Sequence, residues 1–473
     1  MLFNSLPFIA FFIAVFIVFF TLPAKWRWVV LLAASCYFYM AFIPVYILIL
    51  AAIILINYYA AIKIEQAKNV KEKNLYFLIS LWTIIGVLLF FKYFNFINDN
   101  LTELLSITQI SNPIPFVKII LPLGISFSTF QSLSYLIDVK NGKIKAEQHL
   151  GIYALFIMFF PHISAGPIAR GGHLLPQLRN AKGFNIDDFK IGFSQVMLGF
   201  FKKAVVGDML GNYVDTFYRS YEMHSGFATL FTCWIFLFQL YADFSGYSDI
   251  AIGLSRMLGI KLNINFALPL FSKTMTELWR RWHISLSTWL RDYLFTPLSI
   301  ARRDWGKAAV VYSQVVTFAV CGIWHGAGWN FLIYGIIHGI YLASEYLLKI
   351  KSSFFNKNFL RKCLGIFITF NLLSLALIFF RSPDLAKAID MFSSFFSNPL
   401  SLNVKIYDTS FFITMLFMLG ILMAVDYIFF RNDDMESLYF KKPKTLFLLN
   451  IGFFLLILLF GVSSNTQFIY FQF

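Results

Sequence analysis

Apolar runs of roughly 15–20 residues recur along the whole chain, most of them long enough to span the hydrocarbon of a bilayer as a helix. They lie near Leu6–Leu22, Tyr76–Phe91, Ile119–Ile137, Ala308–Cys321, Phe331–Leu348, Leu364–Phe380, Phe411–Phe430 and Thr445–Val462. A soluble domain carries about a quarter charged residues; here the share is 13% of 473. The reading that follows is an all-α polytopic integral membrane protein, multi-pass, with roughly 10–12 transmembrane helices. The many Phe and Tyr suit lipid-facing surfaces and interfacial belts.

The formal charge is +15, and its placement orients the spans. Basic clusters at Lys25/Arg27, Lys63–Lys73, Lys140–Lys145, Arg280–Lys307, Lys349–Lys362 and Arg431–Lys444 read as cytoplasmic by the positive-inside rule. Threading from them places the segment around Asn95–Val117 and the loop Arg381–Ser410 outside, together with both termini. The first apolar run lacks a basic start and a small-residue cleavage site, so it reads as a retained helix. A second reading of Arg280–Lys307 is a cytosolic surface for an anionic substrate.

Between about Gly151 and Pro297 the threading breaks down. Pro161, Gly166, Pro167, Gly171, Gly172 and Pro176 interrupt the runs. Broken or re-entrant segments are tolerated at membrane depth only under cover of protein or beside a water-filled cavity. This stretch is therefore expected to line a central cavity or tunnel. Cys36, Cys233, Cys321 and Cys363 are scattered without metal-ligand spacing, and no metal site is expected.

Two stretches concentrate polar chemistry in this apolar setting: Trp279-Arg280-Arg281-Trp282-His283-Ile284-Ser285 and Cys321-Gly322-Ile323-Trp324-His325-Gly326-Ala327-Gly328-Trp329-Asn330. An ionisable side chain at membrane depth is costly and is by default a pointer to function. Imidazole suits proton transfer near neutral pH. By the threading, His325 lies at an outward turn and His283 in the inward arginine-rich zone, toward opposite faces. Asp243 also sits in an apolar helix pattern and needs a partner, with Arg281 and Arg256 as candidates; a buried ion pair is the favoured role. Trp279, Trp282 and Trp289 read as interfacial anchors or as a substrate platform. His338 and His162 read as packed core histidines, and His149, His173 and His224 as loop or interface residues.

The run Phe238-Gln239-Leu240-Tyr241-Ala242-Asp243-Phe244-Ser245-Gly246-Tyr247-Ser248-Asp249, taken with Arg281-Trp282-His283-Ile284-Ser285 and Trp324-His325-Gly326, resembles the membrane-bound O-acyltransferase (MBOAT) family. The likeness is to its bacterial branch of alginate and peptidoglycan O-acetylation membrane subunits and teichoic acid D-alanylation proteins. Leu121–Phe127, Phe160–Arg170 and Phe468–Phe473 match in order, so the resemblance covers about Leu121 to Phe473.

The resemblance implies one integral membrane domain over 1–473, with N-terminal helices 1–118, a catalytic core 119–348 and C-terminal helices 349–473. It implies His325 and His283 as catalytic residues, with Trp324, Gly326, Asn330, Asp243, Ser245, Arg281 and Trp282 supporting them or lining the cavity. Asn330 and Gly326 are candidates for orienting the ring or donating to an oxyanion. His325 is expected as a general base or a transient acyl carrier. The donor implied is acetyl-CoA, with no permanently bound cofactor. The acceptor implied is a cell-wall or exported polysaccharide, peptidoglycan ahead of an alginate-like polymer. Membrane lipids and a periplasmic serine-type acetyltransferase are the expected partners, without nucleic acid, in the bacterial inner membrane. D-alanyl transfer to teichoic acid is the alternative within the enzyme class. A transporter with proton-relay histidines is the alternative outside it, disfavoured because no internal repeat is visible.

Overall fold

The computed structural model describes residues 1, 3–221, 226–397, 409–432, 435–462 and 468. His224, residues 398–408 of the Arg381–Ser410 loop and all but Phe468 of the C-terminal run fall outside the described residues. Among those described, the elements are helices and there are no strands. Seven helices are long and apolar enough to cross a membrane: Tyr46–Gln66, Val70–Ile107, Phe227–Met257, Lys307–His325, Phe359–Arg381, Thr409–Phe429 and Pro443–Phe460. Leu6–Thr21 and Leu150–Ile163 are apolar but shorter. The all-helical membrane architecture expected from the apolar runs is thus present.

The chain forms two compact units, one of residues 1–190 with 254–263 and the other of 191–253 with 264–473. In the first, Phe8, Phe11, Phe38 and Phe160 pack ring against ring, with centroid separations of 5.4–6.4 Å. Asn69 opens the Val70–Ile107 span by accepting from the Glu72 amide at 2.9 Å, as N-cap asparagines do. That span passes through a wider π turn at Leu89–Tyr93 into the amphipathic stretch Phe94–Ile107. Three asparagines then tie down the returning loop. Asn95 exchanges hydrogen bonds with Val117, Asn98 donates to the Ile114 carbonyl, and Asn112 donates to the Asn98 side chain.

The expected breaks after Gly151 are present in this unit as the short helices Leu150–Met158, Phe160–Ile163 and Gly171–Arg179. His162 is buried among them, with its Nε2 3.0 Å from Gln131 Oε1. His149 caps a helix, its Nδ1 accepting from the Ile152 amide. His173 lies exposed on a helix.

In the second unit the hairpin Lys307–His325 and Trp329–Leu347 packs backbone against backbone. A Cβ on Gly322 would fall on the Phe331 carbonyl oxygen, and one on Gly335 would fall on that of Phe318. Small residues at such contacts let membrane helices approach closely. Gly335→Val is therefore expected to destabilise the protein by about 1–3 kcal/mol through overpacking, read as a lowered unfolding midpoint in detergent. A wild-type midpoint for that variant would refute the close contact.

The same device operates where Ile186–Phe200 meets Phe227–Met257. A Cβ on Gly199 would lie 2.6 Å from the Gly246 carbonyl oxygen, and one on Gly253 would lie 2.5 Å from that of Gly192. The wider turn Phe201–Gly207 follows, and Gly207 continues the close approach against the backbone of Asp243. This packing brings the lysines of the turn against the aspartates of the long helix.

Candidate active site

His325 ends the first arm of the hairpin and is buried. Its ring packs edge-to-face against Trp324 at 4.9 Å, Phe380 at 5.3 Å and Tyr334 at 6.1 Å. One helical turn earlier, Cys321 places its Sγ 3.8 Å from Nε2. Gly326 is extended, and a Cβ there would overlap the Phe331 ring. Glycine is thus required for the chain to turn directly beneath the histidine.

His283 is buried and holds a left-handed backbone, φ +42°. A non-glycine residue in that region costs on the order of 1–3 kcal/mol and persists only where its surroundings over-determine it. Asn265 supplies that constraint. Its carbonyl accepts from the Ile284 amide at 2.9 Å, and its Oδ1 accepts from the Ser285 hydroxyl at 2.9 Å. Its own amide donates to Ser248 at 3.2 Å. The His283 ring then lies between Phe244 at 4.6 Å and Trp324 at 6.1 Å.

Three separate motifs therefore meet in one place. Phe244 and Ser248 come from Phe238–Asp249, His283 and Ser285 from the arginine-rich motif, and Trp324 and His325 from the hairpin. Phe468 joins them, stacked on Tyr247 at 4.7 Å. The expectation that the histidines sit toward opposite faces needs correction: both pack on the single indole of Trp324. One ring's breadth is far less than the roughly 30 Å of hydrocarbon. Loop charge orients helices but does not report how deep a motif folds inward.

Asp243 is also corrected. Its carboxylate pairs with Lys203 Nζ at 2.5 Å, and the same ammonium donates to Asp208 at 2.7 Å. Arg281 pairs instead with Glu277 at 3.0 Å, and Arg256 with Asp188 at 3.0 Å. Beside it, Lys202 bonds Asp249 at 3.0 Å, with Asp426 3.8 Å away, and Asp426 accepts from the Tyr241 hydroxyl at 2.7 Å. Both lysines, Asp208 and Asp426 are buried, and none was singled out from the sequence. The available signal was Lys202-Lys203 inside an apolar run, since charge at that depth is held by opposite charge.

Asn330 does not face the His325 ring. Its amide donates to the carbonyls of Phe379 at 3.1 Å and Ser382 at 2.8 Å, groups a helix end leaves unsatisfied. It thereby fixes the helix that presents Phe380 to His325. Trp279, Trp282 and Trp289 are all buried, which excludes interfacial anchoring for them. Trp282 packs on Phe266 at 5.3 Å and Tyr241 at 6.2 Å. Ser245 lies buried on the long helix, one turn beyond Tyr241. Arg280, Arg291, Arg303 and Lys307 are exposed.

The fold and the buried histidine pair define a polytopic membrane protein with candidate proton-transfer groups enclosed by its helices. Residues 50–382 match the model of MBOAT, the membrane-bound O-acyltransferase family; the chain belongs to that family and is an acyltransferase. It is 36% identical over 401 residues to the probable alginate O-acetylase AlgI of Azotobacter vinelandii, covering 84% of this chain and 78% of that protein. It is 31% identical over 530 aligned positions to the peptidoglycan O-acetyltransferase of Helicobacter pylori, covering 100% of this chain and 98% of that protein. A teichoic acid D-alanyltransferase of Streptococcus thermophilus is 33% identical over 281 residues, covering 54% of this chain and 68% of that protein.

Proposed function

We propose that this chain relays acetyl groups from cytosolic acetyl-CoA across the bacterial inner membrane for O-acetylation of peptidoglycan. The observation that carries the acceptor is the end-to-end match with a peptidoglycan O-acetyltransferase. The D-alanyltransferase match covers 54% of this chain. An alginate-like polymer is the second reading, favoured by the higher identity of the alginate O-acetylase. Final transfer passes through a periplasmic serine-type acetyltransferase, the membrane chain itself holding no resident cofactor.

In the reaction a hydroxyl attacks the thioester carbonyl, an ester forms, and the carbon–sulfur bond breaks. His325 takes the hydroxyl proton and returns it to the leaving thiolate, so no net proton is consumed. Enclosure by Trp324, Tyr334 and Phe380 excludes water that would otherwise hydrolyse the thioester. His283 packs against the same indole, Trp324, and acts along the donor path. Asn330 positions the aromatic wall, while Asp243 pairs with Lys203 and Arg281 with Glu277 to support the surrounding helices.

The test is acetyl transfer from radiolabelled acetyl-CoA by the purified chain in proteoliposomes, with peptidoglycan fragments and the candidate periplasmic acetyltransferase. Acetylated peptidoglycan that requires the chain supports the proposal. Transfer only from a D-alanyl carrier, or none from acetyl-CoA, overturns it. Acetyl-CoA is polyanionic, so the exposed Arg280, Arg291, Arg303 and Lys307 should aid capture. Because salt screens exposed charge, the KM for acetyl-CoA should rise several-fold between about 0.05 and 0.5 M salt, and Arg303→Glu should mimic that rise. A salt-independent KM would remove the basic surface from donor binding.

A further inference from the structure

His338 lies on the second arm of the hairpin, wholly buried. Trp279 donates its indole N–H to His338 Nδ1 at 3.4 Å. That bond leaves Nδ1 as the acceptor and places the proton of the neutral ring on Nε2. Among the described residues Nε2 has no hydrogen-bond partner. A histidine serving only as filler at zero exposure would do better as a hydrocarbon of similar volume, because a buried donor left without an acceptor is costly.

What the ring does contact is informative. Tyr334, one turn back on the same helix, meets it edge-to-face at 4.6 Å, and Tyr334 in turn meets His325 at 6.1 Å. Phe380 closes the same wall, 5.2 Å from Tyr334. Trp279 opens the motif that contains His283, so its bond to His338 joins the arginine-rich motif to the hairpin of His325.

We propose that His338 is a positioning residue for His325. Its Nδ1 accepts from Trp279, that bond holds the hairpin arm that carries Tyr334, and Tyr334 sets the plane of the His325 imidazole; the inference rests on the acyl-transfer reading of His325. A geometric error of about 1 Å at a reacting group can cost on the order of a hundredfold in rate.

The experiment compares His338→Phe, Trp279→Phe, the double variant and His338→Asn in the full-length chain, with folding checked by thermal unfolding. Asparagine keeps an acceptor close to the Nδ1 position, whereas phenylalanine keeps only the ring. Expected are losses in kcat of about tenfold to a hundredfold for either Phe variant, with KM unchanged. The double variant should be no worse than either single, and His338→Asn should recover most of the rate. A second readout needs neither donor nor acceptor: the rate at which diethyl pyrocarbonate modifies His325, followed by mass spectrometry. That rate should change several-fold in His338→Phe and return toward wild type in His338→Asn. Equal loss in His338→Asn and His338→Phe, or a wild-type rate in both readouts for His338→Phe, would overturn the proposal. Should the wild-type chain transfer no acetyl group, the functional reading fails on its own, and the modification rates still decide the positioning role.

Discussion

Replacing His325 with alanine is expected to lower acetyl transfer by about 10²–10⁴-fold while leaving the protein folded and membrane-inserted. The imidazole is buried against three aromatic rings, and its truncation leaves an apolar gap rather than an unpaired charge. The fold cost is therefore modest and the chemical cost large. The loss should fall mainly on kcat, because base catalysis is exerted in the transition state. His283→Ala should be milder in rate and more costly in stability, since it alters a strained residue gripped by Asn265. Undiminished transfer by His325→Ala would remove that residue from the mechanism and shift the base to His283.

The second large effect is on stability. Lys203→Met would leave Asp208 and Asp243 buried with their shared ammonium gone. Removing one member of a buried ion pair typically costs 3–5 kcal/mol, because an uncompensated charge stays behind. The variant should unfold at markedly lower temperature in detergent and accumulate poorly in membranes. The combined change Lys203→Met, Asp208→Asn and Asp243→Asn should recover much of the loss, since neutral replacement of a whole buried cluster is often tolerated. If the single variant were as stable as wild type, the network would contribute nothing net. If the triple variant were no better than the single, ammonium packing rather than charge would be its contribution.

The histidine motifs were legible because each departs from its surroundings: a polar residue among tryptophans and glycines within apolar sequence. Their convergence on Trp324 was not, because it depends on Asn265, an unremarkable residue outside any motif. The partner of Asp243 was misread for a related reason. Arg256 and Arg281 are the cations that stand near it or near a motif in the sequence, whereas Lys203 reaches it across a helix contact. That contact was written in the sequence as Gly192 and Gly199 facing Gly246 and Gly253, two glycine pairs of equal spacing. The tryptophans of the arginine-rich motif were weighed by their usual membrane-surface preference, which burial against neighbouring aromatic rings overrides here.

The 38-residue span Val70–Ile107 has a geometric consequence. At 1.5 Å per residue it measures about 57 Å, against roughly 30 Å of hydrocarbon. Its uncharged stretch ends just before Lys92, inside the π turn Leu89–Tyr93. By charge, the part of this mast suited to hydrocarbon ends at its irregular joint, and the length from Phe94 onward exceeds what a single crossing needs. Asn95 and Asn98 on that stretch hold the loop that follows Ile107. A joint at that depth lets the overhang keep its own angle while the shaft below tilts to suit the thickness of the bilayer.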